Sequence, residues 1–345
     1  MRSSMRYLCL CLLFLSGCSS MPDYPSSPNY DIKKRVFVHP EGNRHDKNFG
    51  DVMGLMWKFM SRPTDPAQIS GFPLMTPADN GAPTSDTHVT WIGHATLLFE
   101  RRGRRVLTDP MFSERASPFT FTGPKRVVPP AIAIADLPHI DAVIISHSHY
   151  DHLDLPGIKK LIAKQPELPF IVPLGLAPML ADSGVKNVTE IDWWQTHQVG
   201  DIAITSTPVV HWSSRNMFDR NKTQWAGFMV RFADGYQFYF AGDTGYGSDF
   251  IRLRERLGVP DFAAIPIGAY EPRDFMKTSH VNPEEAVQIF NDLQVPNAVG
   301  IHWGTFKLTL EPLVEPPRRL LKALQLAKIP PDRFRALTHG ERWDL

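Results

Sequence analysis

Ala142-Val143-Ile144-Ile145-Ser146-His147-Ser148-His149-Tyr150-Asp151-His152 is an apolar run that ends abruptly in three imidazoles and a carboxylate. The apolar half reads as a buried strand and the polar half as the loop leaving its end. Side chains this polar are costly to bury unless each finds a hydrogen bond or a metal. Their type and spacing suit a borderline-soft divalent ion. Zinc is favoured by the nitrogen and oxygen donors, with iron or manganese as the other options.

Outward from that loop the chain alternates apolar stretches with Gly- and Pro-rich breaks. Strands are predicted over Val89–Ile92, Thr96–Glu100, Arg105–Leu107, Ala142–Ser146, Phe170–Pro173, Ile202–Thr207, Phe228–Phe232, Gln237–Ala241, Ala263–Ile267 and Ala298–Ile301. Helices are predicted over Pro156–Lys164, Leu176–Asp182, Ser248–Leu257, Pro283–Leu293 and Leu313–Leu326. Asn282 and Pro283 are a cap and a first helical residue. Helices inserted singly between groups of strands imply packed sheets covered by helices. No strand is followed by a Gly-rich nucleotide fingerprint, so a layered sandwich fits better than a doubly wound sheet. The apolar stretch from Met53 to Met60 reads as a buried helix or flap.

The H-x-H-x-D-H run resembles the signature of the metallo-β-lactamase superfamily, which implies an αββα four-layer sandwich with two metals at one edge. By that resemblance His147 and His149 hold one metal, and Asp151 and His152 the other. The later ligands follow in order: His211 in Thr207-Pro208-Val209-Val210-His211, Asp243 in Ala241-Gly242-Asp243-Thr244, and His302 in Gly300-Ile301-His302-Trp303-Gly304. His211 then completes the first set, His302 the second, and Asp243 bridges them. Two Zn2+ ions held so would share a hydroxide, since metal binding lowers the pKa of water from 15.7 to about 7. His94 and Asp109 are expected to orient ligands from behind.

A closer resemblance is to N-acylphosphatidylethanolamine-hydrolysing phospholipase D. It is carried by Thr90-Trp91-Ile92-Gly93-His94-Ala95-Thr96, Thr108-Asp109-Pro110, Gly123-Pro124-Lys125-Arg126, His211-Trp212 and Pro266-Ile267-Gly268-Ala269-Tyr270-Glu271-Pro272-Arg273. The likeness starts near residue 88, and Ser213-Ser214 depart from it. It implies hydrolysis of a membrane phospholipid to an N-acylethanolamine and phosphatidic acid. Beside Asp151, it implies catalytic roles for Tyr150, as donor to a phosphoryl oxygen, and for His280, in positioning phosphate or protonating the leaving group. The competing readings are a hydrolase of lactones, phosphorylated sugars or nucleotides, and a non-catalytic metal-binding lipoprotein of the envelope. Lys125 and Arg126 read as a solvated basic pair, and His45, His88, His139, His197 and His339 as structural or surface residues.

At 345 residues, 43% hydrophobic and 21% charged, the chain can bury a large core, and 37 basic against 36 acidic residues leave no footprint of a nucleic-acid binder. Nothing in the composition sets the number of subunits. The cysteines are Cys9, Cys11 and Cys18, all near the start. Arg2 and Arg6, the apolar Leu8–Leu15 and Leu15-Ser16-Gly17-Cys18 resemble a lipoprotein signal with its lipidated cysteine. The expected organisation is a signal over residues 1–17, lipidated Cys18 with a flexible tether to residue 30, and a hydrolase domain over 31–345. Ser19 after the cysteine points to the outer membrane. The mature chain would hold no free thiol, which excludes disulfides and a cysteine nucleophile. Two or more acyl chains would anchor it stably. Cys18→Ala is therefore expected to release the protein from the membrane fraction or stall it as an uncleaved precursor, read by fractionation and intact mass. Normal processing with unchanged partition would remove this reading.

Overall fold

The computed structural model describes residues 22–42, Gly50, Gly54 and 73–345. Cys18 and the Met53–Met60 stretch lie outside the described residues. A two-stranded ribbon, β1 (Tyr30–Asp31) and β2 (Val36–Phe37), precedes two seven-stranded sheets. The first sheet holds β3 (Thr87–Gly93), β4 (Thr96–Arg101), β5 (Arg104–Thr108), β6 (Ala142–Ile144), β7 (Phe170–Pro173), β8 (Val188–Ile191) and the last strand, β16 (Arg342–Asp344). The second holds β9 (Thr196–Val199), β10 (Ile202–Thr207), β11 (Gly227–Arg231), β12 (Gln237–Phe240), β13 (Phe262–Pro266), β14 (Asn297–Ile301) and β15 (Phe334–Arg335).

Each sheet is half antiparallel and half parallel. The order is β16-β3-β4-β5-β6-β7-β8 in one and β15-β14-β13-β12-β11-β10-β9 in the other. Pairing is parallel from β5 to β8 and from β12 to β15. In the first sheet β3, β5 and β6 consequently point the same way, as do β10, β12 and β14 in the second.

The layering follows from period-two side chains on strands buried on both faces. Ala142 and Ile144 enter the core between the sheets, where Phe238, Phe240, Phe262 and Ala264 meet them. Val143 and Ile145 turn outward to Ile158, Leu161 and Leu180, on helices α1 (Leu155–Lys164) and α2 (Ala177–Asp182). On the other sheet Tyr239, Ala263 and Ile265 face α3 (Asp249–Leu257), α5 (Pro283–Leu293) and α6 (Glu315–Ala327), while the short α4 spans Arg273–Met276. These are the four αββα layers expected. The cap on α5 is as read: the Asn282 side chain accepts from the Glu285 amide at 2.9 Å, and Glu285 reaches back to the Asn282 amide.

The ten expected strands and five expected helices are all present within a residue or two. The unexpected strands are short or marginal. β9, Thr196-His197-Gln198-Val199, is a polar edge strand with two exposed residues, so it lacks an apolar signal. One expectation needs correction. Residues 22–30, expected as part of a flexible tether, lie against the sandwich: Tyr24 donates to Glu190 at 2.9 Å, meets Tyr30 edge-on and packs at a tilt on the fully buried Phe37. Two tyrosines gain more by covering apolar surface than a polar tether would gain by staying solvated.

Candidate metal centre

Site residues leave the carboxyl ends of co-directional strands, where an α/β sheet opens a crevice. His94 follows β3, Asp109 follows β5, and the 146–152 loop follows β6. From the second sheet, His211 follows β10, Asp243 follows β12 and His302 follows β14. His280 arrives from the other direction, just ahead of α5.

Three imidazole nitrogens converge first. His147 Nε2 lies 2.8 Å from His149 Nδ1, and His211 Nε2 lies 3.3 Å from that same Nδ1. A second group forms where Asp151 Oδ2 stands 3.4 Å from His152 Nε2 and 3.3 Å from His302 Nε2. Asp243 Oδ2 sits between the groups, 3.2 Å from Nε2 of both His152 and His302, 3.7 Å from that of His211 and 3.9 Å from that of His147. The seven sequence-expected residues thus lie close together with Asp243 between the two groups, and His94 and His280 join the overlapping groups that could hold a metal.

Three of the five ligand imidazoles are held from outside. His152 Nδ1 meets Asp109 Oδ2 at 2.6 Å, His147 Nδ1 meets Ser146 Oγ at 2.8 Å, and His211 Nδ1 meets the Ser279 carbonyl at 3.0 Å. Asp109 also accepts from the Ser146 amide and hydroxyl, each at 2.6 Å. His94 Nε2 meets Asp151 Oδ2 at 2.9 Å. Asp109 thus holds His152 from behind, whereas His94 Nε2 falls in the same group as Asp151, His152 and His302, meeting the Asp151 oxygen that faces those two rings. On the inner side His152 Nε2 and Asp243 Oδ1 are buried with no hydrogen-bond partner, as are His149 Nε2 and His302 Nδ1 on the outer side. Donors held from outside and orphaned within fit a bound cation.

The backbone is bent to achieve this. His94, Asp109 and His302 have φ of 56°, 30° and 63°, in the left-handed region that side chains avoid. The His302 amide donates to the His94 carbonyl at 3.0 Å, and the His94 amide to Thr305 Oγ1 at 2.7 Å, so the sheets are stitched at the site. Gly242 is fixed by the same crowding: at φ 61° a Cβ there would stand 2.7 Å from Ser146 Cβ.

Burial and charge split the histidines. Burial pushes His147 and His211 well below the ordinary imidazole range, and His149 and His280 down to about 4. Burial also opposes charge on His152 and His302. Asp243, Asp151 and Asp109 outweigh it at His152, and Asp243 and Asp151 at His302, raising the first well above its ordinary value and the second to about 9. Against the same burial, those imidazoles hold Asp151 and Asp243 well below the carboxylate range.

The remaining candidates are placed differently. Tyr150 lies under the Arg215 guanidinium, 3.9 Å from its ring centre, at the side of a cavity next to the loop. His280 Nδ1 stands 3.9 Å from Asp243 Oδ2, inside the cluster. Lys125 is exposed and pairs with Glu114 at 2.9 Å. Arg126, expected as solvated, is instead held inside, with its guanidinium 4.8 Å from the Phe306 ring and Nε donating to Ser113; the stack and carbonyls replace water. His339 is buried and steadies Thr305 Oγ1 at 2.9 Å. Sequence reasoning missed Ser146, Thr305 and Arg215. Only Ser146, adjacent to the first ligand, carried a signal.

Residues 104–303 match the family model described as a β-lactamase superfamily domain. The chain is 38% identical over 279 residues to N-acyl-phosphatidylethanolamine-hydrolyzing phospholipase D 1 of Caenorhabditis elegans, covering 77% of this chain and 78% of that one. It is 39% identical over 304 residues to an uncharacterised protein of Mycobacterium tuberculosis, covering 87% and 80% respectively. A possible metal-dependent hydrolase from Veillonella parvula superposes with a TM-score of 0.60 at 19% identity, over 76% of this chain and 100% of that one, which speaks for the fold.

A metal seated here must displace the protons that His152 and His302 carry in its absence. Because the neighbouring carboxylates raise both, the protons are favoured at neutral pH, and that of His302 leaves as pH climbs towards about 9. Zinc loading is expected to release about two protons at pH 7, with affinity rising with pH. Calorimetry in buffers of different ionisation enthalpy measures this, and proton-neutral uptake would contradict it.

Proposed function

This chain belongs to the metallo-β-lactamase superfamily and is a metal-dependent hydrolase, and from that premise we propose a dinuclear zinc phosphodiesterase that cleaves an N-acylated ethanolamine phospholipid to N-acylethanolamine and phosphatidic acid. In this reading Cys18 anchors it to the membrane that holds the substrate. The observation that carries the proposal is the position of Asp243 Oδ2 within 3.2–3.9 Å of four imidazole Nε2 atoms from both sheets. The phospholipase D relative supports the choice of substrate.

His147, His149 and His211 would hold one ion, Asp151, His152 and His302 the other, and Asp243 both. Bound there, the pair supplies an activated water at neutral pH and neutralises charge on the phosphodiester. The chain's own residues do the rest. Asp109 and Ser146 keep Nε2 of His152 and His147 turned inward, and His94 fixes the Asp151 carboxylate. His280 is neutral at pH 7, because burial holds it at about 4 and nearby cations would lower it further. A neutral imidazole is a poor acid, so His280 positions the phosphate by hydrogen bonding rather than protonating the leaving group. Tyr150, braced by Arg215, presents its hydroxyl as a donor to a phosphoryl oxygen.

Metal analysis of reconstituted protein is expected to give about two equivalents per chain. Asp243→Asn should weaken both and abolish turnover, whereas a fully active protein with one metal would refute the dinuclear reading.

His280→Ala and Tyr150→Phe should each cost on the order of a hundredfold in turnover while keeping fold and metal content. The phenylalanine retains the stack with Arg215, so it isolates the hydroxyl. Substrate is set by a panel of phospholipids, nucleotide phosphodiesters and lactones with products identified by mass. Turnover of lactones alone, or near-normal turnover in both variants, would redirect the assignment.

A further inference from the structure

A cavity of about 800 Å3 opens beside the metal-ligand loop, lined on that side by Tyr150, Leu153 and Arg215. Two loops border it. The first carries Phe119, 53% exposed, and its ring neighbour Phe121, 78% exposed, with centroids 5.5 Å apart. The second follows Arg215 and presents Met217 and Phe218, 89% and 79% exposed. Among the described residues these are four of the nine exposed large hydrophobic side chains, on the two loops whose Phe119 and Arg215 line the cavity.

Neither loop is slack. The Asp219 carboxylate accepts from the amides of Arg215 and Asn216, each at 2.9 Å, and from Ser214 Oγ at 2.7 Å. Met217 and Phe218 are thereby fixed at a tip. Arg115 pins the other loop, donating to the Thr120 carbonyl at 3.1 Å and the Gly123 carbonyl at 2.7 Å. Holding large apolar groups in water is costly, and a scaffold built to do so implies an apolar counter-surface.

The charge beside them narrows the occupant. The lining holds Arg115, Lys159, Lys160 and Arg215 against Glu114 and Asp154. Glu114 pairs with Lys125, and Asp154 is engaged by the Phe112, Ser113 and Gly157 amides. The surface is left cationic, with Lys159 and Lys160 exposed. Apolar tips beside lysines suit the boundary of an anionic bilayer. A folded protein partner would have to fill the cavity between the tips, whereas lipid deforms around it.

We propose that this rim docks on an anionic phospholipid bilayer, with Phe119, Phe121, Met217 and Phe218 entering the headgroup boundary and Lys159 and Lys160 facing lipid phosphates. The purpose of the docking rests on the phospholipid reading above, since it sets the cavity over substrate still in the membrane. The docking itself requires no turnover.

The test uses the full chain carrying Cys18→Ala in every arm, so that an acyl anchor contributes to none. Sedimentation with phosphatidylcholine–phosphatidylglycerol vesicles, three to one, should exceed that with phosphatidylcholine alone and weaken with salt. Replacing Phe119, Phe121, Met217 and Phe218 together by Ser should cut partition roughly tenfold or more, with the unfolding midpoint and metal content unchanged. The difference in tryptophan emission between Met217→Trp and the parent chain, which itself holds eight tryptophans, should shift to the blue on adding those vesicles. Unchanged partition of the fourfold variant, or an unmoved difference emission, overturns the proposal. So does a fourfold variant whose only change is its oligomeric state, which would assign the rim to a second copy. If the rim binds vesicles but no phospholipid is hydrolysed, docking stands and the phospholipase reading fails.

Discussion

The buried carboxylate of Asp243 among four imidazoles is the constraint on which the molecule depends. It comes from one sheet, while His147 and His152 come from the other, so the site exists only where the two sheets meet at the correct stagger. Charges in such a place are costly to desolvate, and removing one partner of a buried pair costs about 3–5 kcal/mol. Asp109, Asp151 and Asp243 opposite His152 and His302 keep the account near balance in the absence of a cation. A divalent ion can then take the place of the protons.

Rigidity around that cluster is supplied by the fold in successive shells. Ser146 and Asp109 fix ring orientation, and the inter-sheet core fixes the strands from which they come. Left-handed backbone at His94, Asp109 and His302 is tolerated because the amides there are spent on neighbours: His302 on the His94 carbonyl, His94 on Thr305 and Asp109 on the Ile144 carbonyl. The conformational strain and the polar cluster are thus held by the same short segments, which a loosely packed edge could not do.

The thirteen histidines of this chain do not form one class. His88 meets Glu100 and His39 meets Asp249, each a pairing with a single carboxylate away from the centre. The converging set differs because several of its inner nitrogens share the same two carboxylates, Asp151 and Asp243, and lie close to one another. A cation fits that arrangement, and this separates a candidate ligand from a buried structural imidazole.

The sequence by itself determined the strands and helices with strong period and the loop after β6 with its four dense candidate ligands, because apolar alternation and polar spacing are local signals; His211, Asp243 and His302, single residues after strands, were reached only through the family resemblance. The capped α5 belongs there too, since Asn282, Pro283 and Glu285 lie within one turn. Tertiary structure decided what depends on distant partners. Residues 22–30 dock because Tyr24 finds Glu190, and Arg126 goes inside because Phe306 and the Ser113 carbonyl await it. His280 enters the cluster and Arg215 braces Tyr150 through contacts far apart in the chain. Such pairings carry no periodicity or spacing of their own, so they become legible only once the two sheets have closed on each other.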